Sequence, residues 1–231
     1  MEGGDMDIKG SINSFLGARK PAERYASFDY CFNHFQRFRE AGRISAIASK
    51  HNLETSCLHL AFYLASWGML RGSTRLLQKS VRFLDPLVRW IASTDKPQWD
   101  IDANRYTPEN ITVLLEMKRQ IVKALGEDAR PSDTLVTKIM LGVFGCVPAL
   151  DENVRKGCRK NGLRVATLCR LSLQRVGAFY DDHAHEIDKS RVPTLDFASG
   201  RPTSRLYTRA KMIDMFFFEE GLGTRAAEAH L

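Results

Sequence analysis

The sequence predicts an all-α protein: a single helical domain of about eight or nine helices. Apolar residues recur at spacings of three and four along most of the chain, which places them on one face of a helix. N-cap residues and proline precede several of these stretches, and glycine follows them. No segment alternates apolar and polar residues for long, so we expect few or no strands.

The composition favours a folded chain with a basic surface. Hydrophobic residues make up 44% of the 231 residues and aromatic residues 10%, which is enough apolar area to offset the entropy cost of ordering. The formal net charge is +7. This charge favours an anionic partner, DNA or another nucleic acid, although a solvated basic surface gives the same value.

The cysteine pattern and the hydropathy predict a cytoplasmic protein. The five cysteines are odd in number and contain no C-x-x-C pair, which argues against a zinc site or a disulfide framework. Because each lies among apolar residues, we expect buried free thiols in a reducing compartment. No apolar run approaches the ~20 residues that span a bilayer, and the start of the chain lacks a signal-peptide h-region. We therefore predict no membrane partner, and no pattern indicates a cofactor.

The first half of the chain predicts a leader followed by core helices. Glycine and charged residues over 1–20 predict a flexible N-terminal leader, and 21–231 form the helical domain. A buried helix is expected from Glu54 to Leu70, and Pro86 should kink or restart the helix after it. The first helix of the domain has a stripe of aromatic core residues: Tyr25, Phe28, Phe32, Phe35 and Phe38.

The second half contains the clearest helix boundaries. Thr107 is a good N-cap and Pro108 suits the first helical position, so a helix should run from there to Gly126. Ser132 caps the next helix, which should end near Gly145. Three further helices are expected: a short one from Asp151, one over about Leu163–Phe179 and one over about Ser204–Glu219.

The segment TKIMLGVFGCVPALDENV, residues 137–154, joins an apolar helix to a polar one. On composition alone it is a core helix, a tight connection and an N-cap aspartate, Asp151. Its order of Phe144-Gly145, Pro148 and Asp151 also resembles a segment of the helix-hairpin-helix DNA glycosylase superfamily, the endonuclease III-like enzymes. The resemblance covers a short part of the chain and implies a glycosylase-like helical core.

In that resemblance Asp151 takes the position of the family's catalytic aspartate, which stabilises the cationic sugar at a flipped nucleotide. The family's glycine-rich hairpin has no counterpart, because the corresponding region reads GEDARPSDTL. Lyase chemistry is not implied either, because the family's lysine falls near Asp133 or Thr134 and Lys138 is too close to Asp151 in the sequence. The cysteines of an iron–sulfur cluster are also missing.

A basic segment follows Asp151. From Arg155 to Arg175 there are seven basic residues and no acidic one. Arg155 and Arg159 are one helical turn apart, as are Lys156 and Lys160, so these four can line one helix face. We predict that they bind nucleic-acid phosphates, although an ordinary solvated helix surface has the same pattern.

A second cationic pattern surrounds a predicted helix break in WGMLRGSTR. Arg71 and Arg75 could hold a phosphate at the N-terminus of the following helix, where backbone amides are free. Trp67 could then stack on a base. The alternative is that Gly68 and Gly72 only allow close helix packing.

The stretch YDDHAHEIDKS contains the best metal candidate of the sequence. His183 and His185 share a side of an extended strand but not of a helix, so a site with Asp181 or Glu186 requires a loop or strand. A solvated loop with incidental ligands is the alternative. No metal site is therefore assigned.

Two weaker resemblances complete the pattern search. RAAEAH, Arg225 to His230, has the Arg-x4-His spacing of the HEPN ribonucleases, in which these residues act on an RNA phosphodiester; a chance match in a fraying segment is the alternative. The stretches SFDYCFNHF and LAFYLASWGMLRGS resemble an uncharacterised family of bacterial helical proteins. That resemblance covers most of the chain and implies no activity.

These observations lead to two functional hypotheses of different classes. The first is a nucleic-acid-binding helical protein with a DNA-glycosylase-like core and, in its narrower form, base excision through Asp151. The second is a non-enzymatic helical interaction protein with a protein partner, such as a component of a bacterial defence or toxin–antitoxin locus.

Overall fold

The computed structural model describes residues 6–70, 75–126 and 130–228. Ten α-helices and one two-stranded antiparallel sheet lie in these ranges, which confirms the all-α fold. The helices are α1 (Ile8–Ala18), α2 (Ser27–Glu40), α3 (Leu53–Ser66), α4 (Asp85–Ala92), α5 (Lys96–Trp99), α6 (Pro108–Leu125), α7 (Asp133–Phe144), α8 (Glu152–Lys160), α9 (Arg170–Lys189) and α10 (Arg209–Glu228). The strands are β1 (Pro193–Leu195) and β2 (Pro202–Leu206).

Helix α1 occupies most of the region predicted as a flexible leader, so that prediction was wrong. Asp7 caps the helix by accepting a hydrogen bond from the Gly10 backbone N–H at 2.7 Å. The glycine content obscured an i, i+4 apolar spacing, which is sufficient for an amphipathic helix that packs on α10. The buried face consists of Ile8, Ile12 and Phe15.

The centre of the molecule is formed by α2 and α7. The phenylalanine stripe of α2 is buried as predicted, while Tyr25 lies in the preceding 3₁₀ turn and is half-buried. Every residue of α7 from Val136 to Phe144 is buried, including Thr137 and Lys138. A helix that is enclosed on all sides must be contacted by several neighbours, and α7 packs against α2, α3 and α6.

Local capping signals predicted two helix starts correctly. The hydroxyl of Thr107 accepts from the Asn110 N–H at the start of α6, and the hydroxyl of Ser132 accepts from the Leu135 N–H at the start of α7. Gly145 ends α7 with a φ of +69°, a left-handed conformation that favours glycine.

Later helix boundaries differ from the prediction. The helix expected over Leu163–Phe179 begins at Arg170 and continues to Lys189, because Gly162 ends α8 with a φ of +71° and a loop follows. In that loop the Leu168 N–H donates to the Asp133 carboxylate at 2.7 Å, a tertiary contact with no local signal. The last helix starts at Arg209 and not at Ser204, which lies in β2.

Between α3 and α4 the chain is less regular than predicted. Pro86 lies in the first turn of α4 and so restarts the helix. Two 3₁₀ turns, Arg75–Gln78 and Val81–Leu84, precede it. The expected helix cap at Ser73 lies outside the described residues.

The cysteines are free, as the sequence predicted. Cys169 is partly exposed, and the other four are buried: Cys31, Cys57, Cys146 and Cys158. Across the ranges that the structure covers, no helix combines the length and the apolar character needed to cross a bilayer.

Helices α8 and α10 pack with their backbones in direct contact. A Cβ atom on Gly157 would lie 1.9 Å from the carbonyl oxygen of Phe217, and one on Gly221 would lie 1.9 Å from that of Asn153. Only glycine fits at either position without a backbone shift. The two glycines therefore fix α8, with its basic residues, on α10.

We predict that Gly157→Ala lowers the free energy of unfolding by about 1–3 kcal/mol, because the added methyl group overpacks the α8–α10 contact. Urea denaturation measures the effect. The matched control is Gly17→Ala in α1, where nothing lies within 4 Å of the added Cβ, so the variant should be as stable as the parent or more stable. Equal stability of Gly157→Ala and the parent would contradict this packing.

Candidate functional site

Asp151 is the N-cap of α8. Its Oδ1 accepts a hydrogen bond from the Val154 backbone N–H at 3.1 Å, and its Oδ2 accepts one from Lys138 Nζ at 2.9 Å. The side chain is 18% exposed. Both oxygens are thus engaged inside the protein, while part of the carboxylate remains accessible to solvent.

Lys138 lies within buried α7, and its side chain is 3% exposed. A buried ammonium group needs an opposite charge, because removing it from water costs several kcal/mol. Asp151 provides that charge. The sequence comparison excluded Lys138 only as a lyase lysine, and the ion pair with Asp151 was not predicted. The turn after Gly145 reverses the chain and brings the two side chains together. A single lysine within the mostly apolar stretch Val136–Phe144 was the available signal.

Trp67 follows α3 and is half-buried. Its ring makes edge-to-face contacts with Tyr25 and Phe218, with centroids 5.5 Å apart in both cases. Lys138 Nζ lies 5.0 Å from the ring centroid and the Arg24 guanidinium carbon 5.5 Å from it, within the range of cation–π attraction. The indole Nε1 is buried and has no hydrogen-bond partner in the described part of the chain. Base stacking by Trp67 stays a prediction.

A second buried lysine lies close to Trp67. Lys211 Nζ is 2.8 Å from Asp214 Oδ2, and the two side chains are 2% and 8% exposed. The other Asp214 oxygen accepts a hydrogen bond from the Ala149 N–H at 2.9 Å. Around Lys211 Nζ lie the ring centroids of Phe15, Phe28 and Trp67, at 4.6, 4.7 and 5.7 Å. We refer to Trp67, Lys138, Asp151, Lys211 and Asp214 as the Trp67 cluster.

Asp29 is a further buried carboxyl group near this cluster. Its side chain is fully buried and lies 3.5 Å from Arg19 Nη1. Burial raises the pKa of Asp29 to about 6, although the positive charges of Arg19 and Lys211 oppose the rise. Arg19 also donates a hydrogen bond to the Tyr207 hydroxyl at 2.8 Å, which fixes the guanidinium. A carboxyl group that titrates near neutral pH is therefore part of the interior.

Two of the predicted phosphate-binding residues of α8 are engaged within the protein. Arg155 donates to the Ala166 carbonyl at 2.7 Å and to the Thr134 hydroxyl at 3.2 Å. Lys156 is 19% exposed and lies 3.7 Å from Glu152. Arg155 thus ties the loop after α8 to the start of α7.

The other two predicted residues are exposed, and two more cations follow them. Arg159 is exposed in the last turn of α8. Lys160, the last residue of the helix, is 52% exposed, and its Nζ lies 2.8 Å from Glu220 Oε2. Arg164, in the following loop, is exposed, as is Arg170 at the start of α9. We refer to Arg159, Lys160, Arg164 and Arg170 as the basic surface.

The structure leaves two sequence patterns undescribed. Arg71 and the Arg75 side chain lie outside the described residues, so the predicted phosphate site beside Trp67 stays a prediction. The same holds for the HEPN-like pattern, because the Arg225 side chain and His230 are also outside them.

The metal candidate of YDDHAHEIDKS is contradicted. His183 and His185 lie in α9, at a kink where the His183 backbone is not helical (φ −121°, ψ 18°). The His183 ring packs on Phe179 with centroids 4.7 Å apart, and His185 is exposed. Among the residues with described positions, no three His, Cys, Asp or Glu side chains converge as metal ligands.

Comparison of the chain with protein-family models, curated proteins and solved structures gives no match. The resemblances to the glycosylases and to the bacterial helical family therefore rest on the quoted residues alone. Any function must be inferred from the charges, the burial and the contacts of the residues themselves.

The Trp67 cluster places two ammonium groups and two carboxylates beside one aromatic ring. Such fixed charges stabilise charge that develops on a bound molecule only if the molecule can reach them. Lys138, Lys211 and Asp214 are almost completely buried, whereas Asp151 is 18% exposed. Asp151 is therefore the most accessible charged group of the cluster.

We predict that Asp151→Asn lowers the free energy of unfolding by about 3 kcal/mol, because Lys138 would keep a buried charge without its partner. Asparagine is as good an N-cap as aspartate, so the substitution leaves the cap and removes the charge. Urea denaturation of Asp151→Asn, Lys138→Met and the double variant forms a double-mutant cycle. The double variant should be more stable than Asp151→Asn, and the opposite order would refute the role of the ion pair.

We predict a pH-dependent stability effect from Asp29. Its pKa of about 6 in the folded protein exceeds the ordinary 3.8, so this carboxyl favours folding at low pH, and the contribution is lost as pH rises through about 6. The free energy of unfolding of Asp29→Asn, relative to that of the parent, should therefore rise by up to about 3 kcal/mol as the pH is raised from 4 to 7. Urea denaturation at several pH values measures this, with Asp181→Asn as an exposed control. A pH-independent difference would contradict the raised pKa.

Proposed function

We propose that the protein binds nucleic acid through contacts between the basic surface and backbone phosphates. The observation that carries the proposal is the exposure of four cations within residues 159–170, a segment without any acidic residue. Phosphate neutralisation by Lys and Arg releases counterions and dominates nucleic-acid affinity. No acidic residue lies between these cations in the sequence, and Glu220 lies 2.8 Å from one of them, Lys160.

The contacts that hold the basic surface in place support the same proposal. Arg159 and Lys160 end a helix whose backbone contacts α10 directly at Gly157. Arg170 donates to the Thr112 hydroxyl at 2.8 Å, which ties the start of α9 to α6. Cations that are held by rigid elements lose less entropy when they bind a regularly spaced backbone.

We predict that a plot of the logarithm of the binding constant against the logarithm of the salt concentration has a slope of about −4. Each of the four phosphate contacts releases about one counterion. Fluorescence anisotropy with a labelled DNA duplex at a series of salt concentrations measures the slope. Replacing the four residues of the basic surface by glutamine should weaken binding at least about tenfold at low salt and flatten the slope.

The matched control neutralises four exposed cations elsewhere, so that the net charge is the same in both variants. An equal loss of affinity in the two variants would show that binding depends on total charge and not on this surface. Absence of binding by the parent at low salt would reject the proposal outright. The control positions are Arg43, Lys50, Arg82 and Lys123.

Base excision through Asp151 is the narrower form of the proposal. It is supported by the residue order that resembles the glycosylases and by the contact of Asp151 with Lys138 beside Trp67. The experiment is base release from a panel of damaged duplexes by the parent and by Asp151→Asn, compared at a temperature where both remain folded. Release by the parent alone supports the narrower form, and release by neither leaves only the binding proposal.

The alternative class, a non-enzymatic helical interaction protein, is favoured by one observation. Leu58, Phe62 and Phe197 are 50%, 69% and 75% exposed and lie around an apolar depression of about 730 Å³. Clustered exposed apolar residues are typical of protein contacts. The salt titration separates the two classes, because an apolar contact has little dependence on ionic strength.

A further inference from the structure

A polar cavity of about 530 Å³ lies where α2 and α7 end and α10 begins. Residues of α2, the segment 96–105, α7, the β2 strand and the start of α10 form its walls. Its charged lining is unbalanced, with six cations and three carboxylates. The cations are Arg39, Lys96, Arg105, Arg191, Arg205 and Arg209, and the carboxylates are Glu40, Asp100 and Asp102.

Each of the three carboxylates is already paired with one arginine of the wall. The pairs are Arg39 with Asp100, Arg205 with Glu40 at 2.6 Å, and Arg209 with Asp102 at 3.6 Å. Arg205 presents two nitrogens to the Glu40 carboxylate, a bidentate geometry that fixes both side chains. These pairs account for three of the six positive charges.

Asp102 also accepts backbone hydrogen bonds, which limits its role as a counter-charge for the other cations. Its two oxygens accept hydrogen bonds from the backbone N–H groups of Arg209 and Ala210, both at 2.8 Å. The carboxylate therefore caps the N-terminus of α10, and Arg209 finds a further partner in Asp188 at 2.8 Å. Asp102 cannot turn toward the other cations without uncapping the helix.

Three cations of the wall remain without a carboxylate. Lys96 and Arg105 are exposed and form no ion pair with any described residue. Arg191 donates its Nε–H to the Tyr207 carbonyl at 2.7 Å, which holds the guanidinium in place. Burial, together with the positive charge of Arg209, lowers the pKa of Arg191, although the negative charges of Asp102 and Asp188 oppose the change. The cavity thus holds more positive charge than its own acids neutralise.

One hydrogen-bond donor of the cavity wall also lacks an acceptor among the described residues. Arg39 Nε is buried and has no hydrogen-bond partner among the described residues, while its Nη1 contacts the Gln36 amide oxygen at 3.4 Å. Gln36 is held in turn by a hydrogen bond from its Nε2 to the Val143 carbonyl. A buried N–H without an acceptor costs free energy unless a ligand or water supplies one.

We propose that this cavity binds a small phosphomonoester, with its dianionic phosphate among Arg39, Arg105 and Arg191. A phosphate dianion supplies acceptors for several guanidinium N–H groups and offsets most of the surplus charge. The volume exceeds what a phosphate alone needs and lies in the range of small-ligand sites. The apolar part of the lining is formed by Phe32, Trp99 and Phe144, each of which is largely buried behind the cavity surface.

This site shares no residue with the basic surface and does not depend on nucleic-acid binding. The basic surface lies on α8 and the segment after it, whereas the cavity lies at the start of α10. The two proposals can therefore fail separately.

Isothermal titration calorimetry at physiological ionic strength tests the proposal with inorganic phosphate, ribose 5-phosphate and adenosine 5′-monophosphate. Ribose and adenosine are the matched uncharged probes. At least one phosphate ester should bind more tightly than inorganic phosphate, and the uncharged probes should not bind. Absence of binding by both esters at millimolar concentration, or equal binding of adenosine and its monophosphate, would overturn the proposal.

Two variants locate the binding. Arg105→Gln with Arg191→Gln should raise the Kd of the phosphate ester at least about tenfold, the effect of losing one charge-assisted hydrogen bond or more. Because Arg191 also contacts the Tyr207 carbonyl, Lys96→Gln with Arg105→Gln tests the exposed rim alone and should raise the Kd by a smaller factor. The control is Lys50→Gln with Arg82→Gln. Loss of affinity in the control, or unchanged affinity in both cavity variants, would contradict the site.

Discussion

Lys138 and Lys211 each bring a positive charge into an aromatic interior, and each is stabilised there by one carboxylate. Asp151 pairs with Lys138 from the start of α8, and Asp214 pairs with Lys211 one turn along α10. Each carboxylate also accepts a backbone N–H, so the charge pairs hold the connection between α7 and α8. The positions of α8 and of its cations depend on these two pairs, because an unpaired buried ammonium group is strongly destabilising.

Helix α10 links the regions to which we assign a role. Its first residue, Arg209, belongs to the wall of the polar cavity, and Lys211 and Asp214 belong to the Trp67 cluster. Further along, Phe217 and Gly221 contact the backbone of α8. Ligands at the two ends of this helix would therefore act on one rigid element, with a buried charged centre between them.

Features that depend on neighbouring residues could be predicted from the sequence, and features that depend on distant ones could not. The aromatic stripe of α2 and the caps at Thr107 and Ser132 follow from local spacing and local hydrogen bonds, and the structure has them. The loop before α9 contains a hydrogen bond from the Leu168 N–H to Asp133, which no local pattern shows.

The candidate sites show the same division. Asp151 was selected from its local order, whereas its partner Lys138 became evident only once the chain reversal was known. The cavity wall combines arginines from separate elements, from Arg39 in α2 to Arg209 in α10, so no spacing rule could group them. The histidines of α9 illustrate the converse, because a suggestive local pattern corresponds to no cluster of metal ligands among the described residues.

The packing of α1 against α10 joins two segments that are far apart in the sequence. Ser11 and Ser14 donate hydrogen bonds to Glu220 and Glu219, across 209 and 205 positions of sequence. The apolar face of α1 packs mainly on α10, so a large part of it stays uncovered until α10 is in place. Closing such a long loop is entropically expensive, which makes docking of α1 a late event in folding.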